Sequence, residues 1–522
     1  MLGYCRNHKD YLTFALSKLR VLAETRPDQI EECKEAVMKM LILNLDPLIP
    51  IITPLYPPVG RPAEMQVDIF RSFVLMEHMQ IHLDNWVEKL SVNPVLRAIA
   101  GFTLDNMPKT SSYYDFINRI VPLDERPEVR PVNIKPKDKL KKGEKLPETE
   151  RNRRGNAAFS RSENHEPKNP GIVADLIKQV ISDEERFLKR LSRRPERFLQ
   201  KIFARVAVDA SASMGFIPNN LNVSGDGTCV KTGASSYGKK VCECKKSRIF
   251  KCACDRKFSD PNATWGWDSH NERYFYGYSG YFISTYNREL KIDLPLHLRF
   301  VQANRHDSVS AVFALTEFRE LNPNLNVNAF VSDSASDNYA TYELLNHWDW
   351  NAVIALNPKN EGNLKYPPAL RIDDNGVPIC QKGYEMVYNG YCKGRSRIKW
   401  RCQRVNYHDG LNTFPPCPGC SQSPYGRVIY TKPDWDLRLF TRIPRGSDAW
   451  KSVMKERTAA ERVNDRILND YGVEGGHVRG KKRISFRATL AAINVHLDAQ
   501  VKVLQQRKQL NIFQFLFSQT AA

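Results

Sequence analysis

Residues Leu221–Thr228, with the sequence LNVSGDGT, contain the first of two aspartates that decide the fold of this chain. Apolar and polar residues alternate before Asp226, as they do in a half-buried β-strand. Asp333 follows a second run of the same kind, Val327–Ser332. We therefore expect two strands that each end in an aspartate. The simpler alternative is that each aspartate caps a turn or a helix.

A third acidic residue, Glu461, lies in a stretch with helical periodicity from Asp448 to about Tyr471. Five residues of this stretch recur at helical spacing on one face: Trp450, Met454, Arg457, Glu461 and Leu468. Another aspartate, Asp209, is a rival for the first acidic position. It continues the helical pattern of the residues before it, so we prefer Asp226.

The segments between these acids set the order of the elements. Two runs rich in aromatic and branched residues, Arg273–Ile283 and Leu294–Val301, predict strands. A helical pattern follows from Asp307 to about Glu320, and His306–Asp307 is interpreted as its cap and left out of the site. After Asp333 come a short helix and the apolar run Ala352–Leu356. Three strands, a helix, a strand, a helix, a strand and the glutamate helix are the layout of an RNase H-like α/β core, a mixed sheet flanked by helices.

These motifs together resemble the DDE transposases of bacterial insertion sequences. Asp226–Thr228 (DGT) is similar to the first aspartate motif of that family, and Asp333–Asp337 (DSASD) to the segment with the second. Arg457–Glu461 (RTAAE) keeps the arginine-to-glutamate spacing of the third motif. Met454 and Leu468 stand where the family often has a tyrosine and a basic residue. The resemblance implies a DNA transposase that cleaves and joins strands at the ends of an insertion sequence.

The N-terminal region adds to this resemblance, because it is similar to the all-helical domain that often precedes such a core. Four segments have this similarity: Gly60–Pro62, Arg71–Leu75, Asn93–Arg97 and Met107–Thr110. We expect a helical DNA-binding domain over residues 1–123 and a basic, flexible linker over 124–170, which has almost no large apolar residues. The catalytic domain would then cover 171–522, with cysteine-rich, β- and loop-rich insertions at about 229–264 and 358–446.

Cysteines are concentrated in the two insertions. The first contains Cys242, Cys244, Cys252 and Cys254, and the second contains Cys392, Cys402, Cys417 and Cys420, with Cys380 in reserve. Closely spaced cysteines in a reducing compartment are typical of a structural zinc site, with Zn–S bonds of about 2.3 Å. Buried free thiols are the alternative. We expect zinc to stabilise insertions that are poor in apolar residues.

The composition points to a polyanionic partner. The chain has 78 Lys and Arg against 58 Asp and Glu, a formal net charge of +20. A chain this basic favours nucleic acid over a merely solvated surface, and we expect it to bind double-stranded DNA, both the insertion-sequence ends and the target. No membrane span or signal peptide is evident, so a cytosolic location, including the bacterial nucleoid, is expected. By analogy with the family, we expect a homodimer on DNA.

The carboxylates define the expected chemistry. Asp226, Asp333 and Glu461 would hold two Mg²⁺ (or Mn²⁺) ions for in-line displacement at a phosphate. Arg457, one helical turn from Glu461, would hold a DNA phosphate; the alternative is a structural ion pair with Glu461. Two other functions stay open: a zinc-stabilised DNA-binding protein without catalysis, and a nuclease of the same fold that cuts without joining.

Overall fold

The protein combines helices with a central mixed sheet. The computed structural model describes residues 1–121, 126–130, 171–250, 252–269, 271–357, 366–403, 421, 423, 426–474 and 478–507. Both predicted element types are present, and the sheet has parallel as well as antiparallel strand pairs. The α/β class expected from the sequence is therefore correct.

The N-terminal region is helical, in agreement with the periodicity of its sequence. Its helices are His8–Thr25 (α1), Pro27–Glu32 (α2), Lys34–Ile42 (α3), Ile49–Ile52 (α4), Gln66–His78 (α5), Leu83–Val92 (α6), Pro94–Ala100 (α7) and Thr110–Ile120 (α8). Helix ends follow local chemistry: the Asn93 side chain accepts a hydrogen bond from the Leu96 N–H to cap α7, and Gly101, with φ +96°, ends it.

Four further helices lead into the sheet. They are Ile172–Ser182 (α9), Glu184–Ser192 (α10), Arg197–Phe203 (α11) and Asp209–Ser213 (α12), and a π-helical turn, Ala204–Val208, joins the last two. Asp209 is thus helical, as expected, and its carboxylate pairs with Arg205 at 2.6 Å. It lies in no strand, which removes it as a rival for the first acidic position.

Six strands of the described chain form the central sheet. They are Leu221–Lys231 (β2), Thr264–Asp268 (β5), Arg273–Asn287 (β6), Ile292–Gln302 (β7), Val327–Ser332 (β8) and Asn351–Ile354 (β9). β2 lies between β6 and β8, β9 flanks β8, and both β5 and β7 pair with β6. β6 is antiparallel to β2 and β7, whereas β2, β8 and β9 are parallel. The aromatic and branched runs predicted as strands are β6 and β7.

Helices cover this sheet. They are Asp307–Leu321 (α13), Tyr339–His347 (α14), Asp448–Met454 (α15), Thr458–Asp465 (α16) and Lys481–Gln506 (α17). The single helix predicted from Asp448 to Tyr471 contains a 3₁₀ turn, Lys455–Arg457, and a π-helical end, Arg466–Asp470. α16 packs on β2, β6 and β7, and this contact brings the segment with Glu461 onto the sheet.

The N-terminal helices pack against the last helix. Phe73 of α5 contacts Phe486 of α17 edge to face, with ring centroids 4.9 Å apart. The Asn494 side chain of α17 donates a hydrogen bond to the Val74 carbonyl at 2.9 Å. One continuous apolar core therefore includes both the N-terminal helices and the sheet.

One strand prediction was wrong in its end point. The sequence suggested that the first strand ends at Asp226, but β2 continues to Lys231, so Asp226 lies near its middle. Two glycines, Gly225 and Gly227, flank Asp226 within this strand. A Cβ at Gly225 would overlap the Tyr281 hydroxyl, and one at Gly227 would overlap the Asp307 carboxyl. The glycines sit within the strand because neighbouring side chains occupy the space that a side chain would need.

Part of the predicted linker is a strand. Val129–Arg130 (β1) pairs with Arg256–Lys257 (β4), which also pairs with Lys239–Lys240 (β3). The Arg130 guanidinium stacks over the Phe258 ring at 4.4 Å. The start of this basic segment therefore joins the first cysteine-rich insertion, and most of residues 124–170 lie outside the described ranges.

The second insertion has a small core of its own. Its strands are Arg371–Ile372 (β10), Pro378–Ile379 (β11), Met386–Cys392 (β12), Arg397–Cys402 (β13) and Val428–Thr431 (β14). Trp400 is buried there, and its indole N–H donates to the Thr431 hydroxyl at 2.9 Å. Arg438 reaches from this insertion to the Asp337 carboxylate at 2.8 Å. The insertion is thereby tied to the segment that follows β8.

Among the described residues, no single helix has both the length and the apolar character needed to cross a bilayer. A bent pair, Lys34–Ile42 with Asp46–Leu55, meets those criteria only in combination.

Candidate active site

Asp226 and Asp333 occupy matching positions on adjacent parallel strands. Ser224 of β2 lies opposite Val331 of β8. Two residues further along each chain, the same register places Asp226 opposite Asp333, and neighbouring strands lie about 4.8 Å apart. Asp333 directly follows β8 and keeps an extended backbone, with φ −77° and ψ −176°. The structure therefore brings the two predicted aspartates together, although only Asp333 is at a strand end.

The carboxyl group of Asp226 is mostly buried and surrounded by negative charge. Its pKa is raised to about 6, first by burial and then by the charges of Asp333 and Asp307. The Gly227 N–H and the positive charge of Arg457 act in the opposite direction. Like charges held this close favour a bound cation or a bound proton, because either one relieves their repulsion.

Asp307 is a member of this cluster that sequence reasoning left out. It lies in the first turn of α13, directly over Gly227, and accepts a hydrogen bond from the Ser279 hydroxyl at 3.3 Å. Burial raises its pKa, and the charge of Asp333 adds to the effect. The cap of α13 is His306, whose ring nitrogen accepts from the Ser308 N–H. The sequence signal that could have identified Asp307 was the pair His306–Asp307. Because His306 caps the helix, the Asp307 carboxylate is not needed as the cap and is free for another role.

The helix segment around Glu461 presents three polar residues at helical spacing: Arg457, Glu461 and Asn464. Asn464 makes the direct contact with the strand acid, since its side-chain N–H donates to Asp226 at 3.1 Å. Arg457 binds the Glu461 carboxylate at 2.7 Å, and its charge also lowers the pKa of Asp226. Glu461 is thus on the correct helix face, but its carboxylate is paired with Arg457. Asn464 was not identified from the sequence.

Two buried polar atoms beside these acids have no hydrogen-bond partner in the described part of the protein. They are the Tyr281 hydroxyl and the Asn464 side-chain oxygen. Burial raises the pKa of Tyr281 well above its ordinary value, and the charge of Asp226 raises it further. An unsatisfied buried polar group is costly, so such atoms often mark places where a ligand or water binds.

The acids are not gathered as tightly as a single-ion site would require. Within the described ranges, the only group of three or more His, Cys, Asp or Glu ligand atoms lying within 4.8 Å of one another consists of cysteines. Two divalent ions in one site are separated by roughly 3.5–4 Å, so their outer ligands are further apart than the ligands of one ion. Asp226, Asp333 and Glu461 do not form such a group in the described part of the protein.

The first cysteine cluster does form. Cys242, Cys244, Cys252 and Cys254 have all their sulfur atoms within 4.8 Å of one another. Cys242 and Cys252 are 3.5 Å apart at sulfur, and Cys244 and Cys254 are 3.6 Å apart. Tetrahedral Zn–S bonds of about 2.3 Å place sulfur atoms about 3.8 Å apart. The prediction that these four cysteines form a possible metal site is confirmed, and their spacing is consistent with structural zinc.

The second cysteine set was assigned incorrectly in one respect. Cys392 pairs with Arg397 at one end of the β12–β13 hairpin, whereas Cys402 pairs with Met386 at the other end. Five residues of strand separate these ends, roughly 16 Å, so Cys392 and Cys402 cannot bind the same ion. Spacing along the sequence did not predict this separation, because the register of a hairpin decides which residues lie opposite each other. Cys417 and Cys420 lie outside the described residues.

Cys380, the reserve ligand, is at the Cys402 end of this hairpin. Ile379 forms a bridge with Glu385, next to Met386, which is opposite Cys402. Cys380 itself is buried in the small core with Trp400. Its position therefore agrees with the alternative of a buried thiol.

No family model matches this chain, and no curated protein matches it. Its function is therefore inferred from the residues and contacts described above.

Proposed function

We propose that the protein is a DDE-type DNA transposase, which cleaves and joins DNA strands by two-metal phosphoryl transfer. One observation carries this proposal: Asp226, Asp333 and the helix segment with Arg457 and Glu461 converge on the same part of the sheet, although they are distant in sequence. These are the residues whose motifs resemble those of the family.

The sheet supports an RNase H-like core. With β2 as the first core strand, the strands follow the order third, second, first, fourth, fifth across the sheet (β7, β6, β2, β8, β9), and only the second strand is antiparallel to the others. A helix follows the third strand, another connects the fourth and fifth, and α16 follows later. The order of these elements along the chain is the one expected from the sequence, and it supports the proposal.

The donor set fits hard divalent cations such as Mg²⁺ or Mn²⁺. Carboxylate oxygens are the ligands that these ions prefer. Bound at this site, two such ions would lower the pKa of a coordinated water and stabilise the charge that develops on the departing oxygen. Asp226, Asp333 and Glu461 would hold the ions. Glu461 must then exchange its ion pair with Arg457 for the metal.

When the ion pair between Arg457 and Glu461 is broken, the Arg457 side chain would be free to bind a phosphate. The guanidinium is on the helix face that contacts Asp226 and can form two hydrogen bonds to one phosphate. It would hold the scissile phosphate while Asn464 keeps the Asp226 carboxylate oriented. Asp307 adds negative charge to the same site and would strengthen cation binding there.

The rest of the chain suits a DNA substrate. The net charge of +20 attracts phosphates and favours association at low salt. Cations lie opposite one another in the small sheet beside the cysteine cluster, where Lys239 pairs with Lys257 and Lys240 with Arg256. Like charges on opposite strands destabilise a sheet. Glu128 pairs with Lys257 at 3.1 Å, and bound phosphates would neutralise the other cations. Zinc in the cysteine cluster would hold this sheet together.

A zinc-stabilised DNA-binding protein without catalysis is the second candidate. It is favoured by one observation, that the cysteines form the tighter ligand set in the described structure. A nuclease that cuts without joining is the third candidate, and it shares every feature of the proposed site.

One experiment separates the three candidates. Purified protein is incubated with Mg²⁺ and DNA that spans either side of its own gene, and the products are sequenced. Joined products with the gene-flanking ends support a transposase. Nicks without joining indicate the nuclease, and binding without nicks indicates the non-catalytic protein.

A further inference from the structure

Asn464 is buried between helix α16 and the central sheet. The residue is 7% exposed, and its side-chain N–H donates to the Asp226 carboxylate at 3.1 Å. Ala460 and Val463 of the same helix are fully buried. The amide oxygen of Asn464 has no hydrogen-bond partner in the described part of the protein. A polar atom with an unmet need for a donor or a cation therefore lies beside a carboxylate, where leaving it unsatisfied is costly.

The helix segment that contains Asn464 is attached to β2 at two points. Glu456, in the 3₁₀ turn before α16, accepts a hydrogen bond from the Asn222 side chain at 2.8 Å, and Arg288 binds the same carboxylate. The second point is the contact between Asn464 and Asp226. The two strand residues are about 13 Å apart along β2, and the two helix residues are about 12 Å apart along the helix. Because these lengths match, the helix follows the strand and holds the amide in place.

Other buried asparagines of the protein differ from Asn464 in their partners. Asn322 and Asn494 also have amide oxygens without a partner among the described residues. Their side-chain N–H groups, however, donate to main-chain carbonyls four residues earlier. Asn464 donates instead to a carboxylate that lies among like charges. Of these three asparagines, only Asn464 therefore places its unpartnered oxygen next to an acidic cluster.

A divalent cation would satisfy this oxygen and the acids together. Repulsion between Asp226 and Asp333 favours a bound cation, and hard ions accept amide oxygens as ligands alongside carboxylates. The nitrogen and oxygen of one amide are about 2.3 Å apart, so the Asn464 oxygen lies within about 5.4 Å of the Asp226 carboxylate. Ligands on opposite sides of one Mg²⁺ are about 4 Å apart. A small movement of the side chain is therefore enough for both residues to share an ion.

We propose that the side-chain oxygen of Asn464 is a further ligand of the divalent ion held by Asp226, an assignment that rests on the proposed function. Glu461 lies three residues earlier on the same helix face, but its carboxylate is paired with Arg457. Asn464 already contacts Asp226 and has no such competing ion pair among the described residues. It therefore offers an oxygen to the ion while Glu461 is still bound to Arg457.

Metal binding without DNA tests this proposal. Thermal unfolding of the full chain is followed at pH 8, above the Asp226 pKa of about 6, while Mg²⁺ or Mn²⁺ is added. An ion that binds only the folded protein raises the melting temperature once its concentration exceeds its Kd. Asn464→Leu, similar in shape but without a polar atom, should weaken the affinity for both ions at least about tenfold. Asp226→Asn should abolish the stabilisation, which would locate it at this site.

Asn494→Leu is the matched control, because it also removes a buried asparagine with an unpartnered oxygen. It should change the melting temperature without metal but leave the affinity for Mg²⁺ and Mn²⁺ unchanged. Unchanged affinity in Asn464→Leu would overturn the proposal, as expected if a water molecule satisfies the oxygen. Absence of any stabilisation of the wild-type protein by either ion would also overturn it.

A sulfur atom at this position distinguishes a metal ligand from a hydrogen-bond partner. Mg²⁺ takes oxygen ligands, whereas Mn²⁺ tolerates a sulfur ligand better. Asn464→Cys should therefore lose more affinity for Mg²⁺ than for Mn²⁺, with the ratio of the two affinities shifted by roughly tenfold towards Mn²⁺. An equal loss for both ions would show that Asn464 only orients the Asp226 carboxylate, and the proposal would be wrong.

The two proposals can fail separately. If the wild-type protein neither nicks nor joins DNA but Asn464→Cys shifts the ratio of affinities, the proposed function fails and Asn464 remains a metal ligand. If Mg²⁺-dependent cleavage requires Asp226 and the ratio is unchanged in Asn464→Cys, only the assignment of Asn464 is lost.

Discussion

The cysteine cluster and the acidic cluster differ in how completely the protein prepares them. Four sulfur atoms converge to within 4.8 Å in the first insertion, with spacing close to that of a tetrahedral zinc site. The acids are more widely spread, and Glu461 is paired with Arg457. Repulsion with Asp333 and Asp307 contributes to the raised pKa of Asp226.

This difference separates two uses of a metal. A structural ion needs a closed set of ligands that the fold holds in place, and it contributes directly to folding. A catalytic ion needs open positions for substrate and water, so its ligands remain partly free. The cysteines meet the first description, and the proposed function assigns the acids to the second.

The largest expected effect is loss of DNA cleavage in acid variants. Asp226→Asn, Asp333→Asn and Glu461→Gln should each reduce cleavage at least about a thousandfold, because metal-ion stabilisation contributes several kcal/mol to such a reaction. DNA affinity should change little, since one charge barely alters a net charge of +20. Gel-based cleavage and binding assays measure both. Asp209→Asn is the control, and loss of cleavage in that variant alone would show that the first acid is misassigned.

The next effect concerns zinc and the first insertion. Elemental analysis of the purified protein should find tightly bound zinc, and Cys242→Ser/Cys254→Ser should lower it by about one ion per chain. Without the Zn–S bonds, the first insertion has few apolar residues to keep it folded, so limited proteolysis should then cut it. Cys392→Ser should leave the zinc content unchanged, because that residue lies at the far end of its hairpin. If the wild-type protein contains no zinc, the cysteine cluster is not a structural zinc site and the difference drawn between the two clusters is wrong.

A smaller effect is expected at Arg457. Arg457→Lys keeps the charge but loses the planar two-point grip on phosphate, so single-turnover cleavage should slow by roughly tenfold. Loss of the ion pair between Arg457 and Glu461 should hardly change the free energy of unfolding. The two side chains are 30% and 49% exposed, and such pairs contribute only about 0.3–0.5 kcal/mol. Melting temperature should therefore stay nearly constant. Normal cleavage by Arg457→Ala would exclude phosphate positioning.

The last expected effect is a gain in stability, and it requires no DNA. The folded-state pKa of Asp226, about 6, lies above its ordinary value of 3.8, so its ionised form is disfavoured in the folded protein. The free energy of unfolding therefore falls as pH rises from about 4 to about 6. Asp226→Asn removes this cost and should stabilise the protein by up to about 3 kcal/mol above pH 6, with no gain below pH 4.

This gain is measured by thermal unfolding across pH without added Mg²⁺. Asp209→Asn is the control substitution, because the Asp209 side chain is 44% exposed and paired with Arg205. Equal melting temperatures for wild type and Asp226→Asn at pH 8 would show that the ionised Asp226 carboxylate does not destabilise the folded protein.

Local patterns predicted much of the fold. Periodicity identified the helices that contain Asp209 and Glu461 and the strands β6 and β7, because each depends on residues only a few positions apart. It failed at Asp226, where the alternation of apolar and polar residues ends but the strand continues to Lys231. Cross-strand pairing with β6 continues there because Tyr281 and Asp307 fill the space above the glycines.

By itself, the sequence determined the types of the elements, the positive charge and the four cysteines that converge in the first insertion. Their short spacing around a basic turn leaves little freedom, so local geometry brings them together. Only the tertiary structure decided which polar residues meet Asp226. Asn464 meets Asp226 across 238 residues of chain, and Asp307 joins them through the packing of α13 on β2. Such neighbours depend on strand register and helix packing, which no local pattern contains.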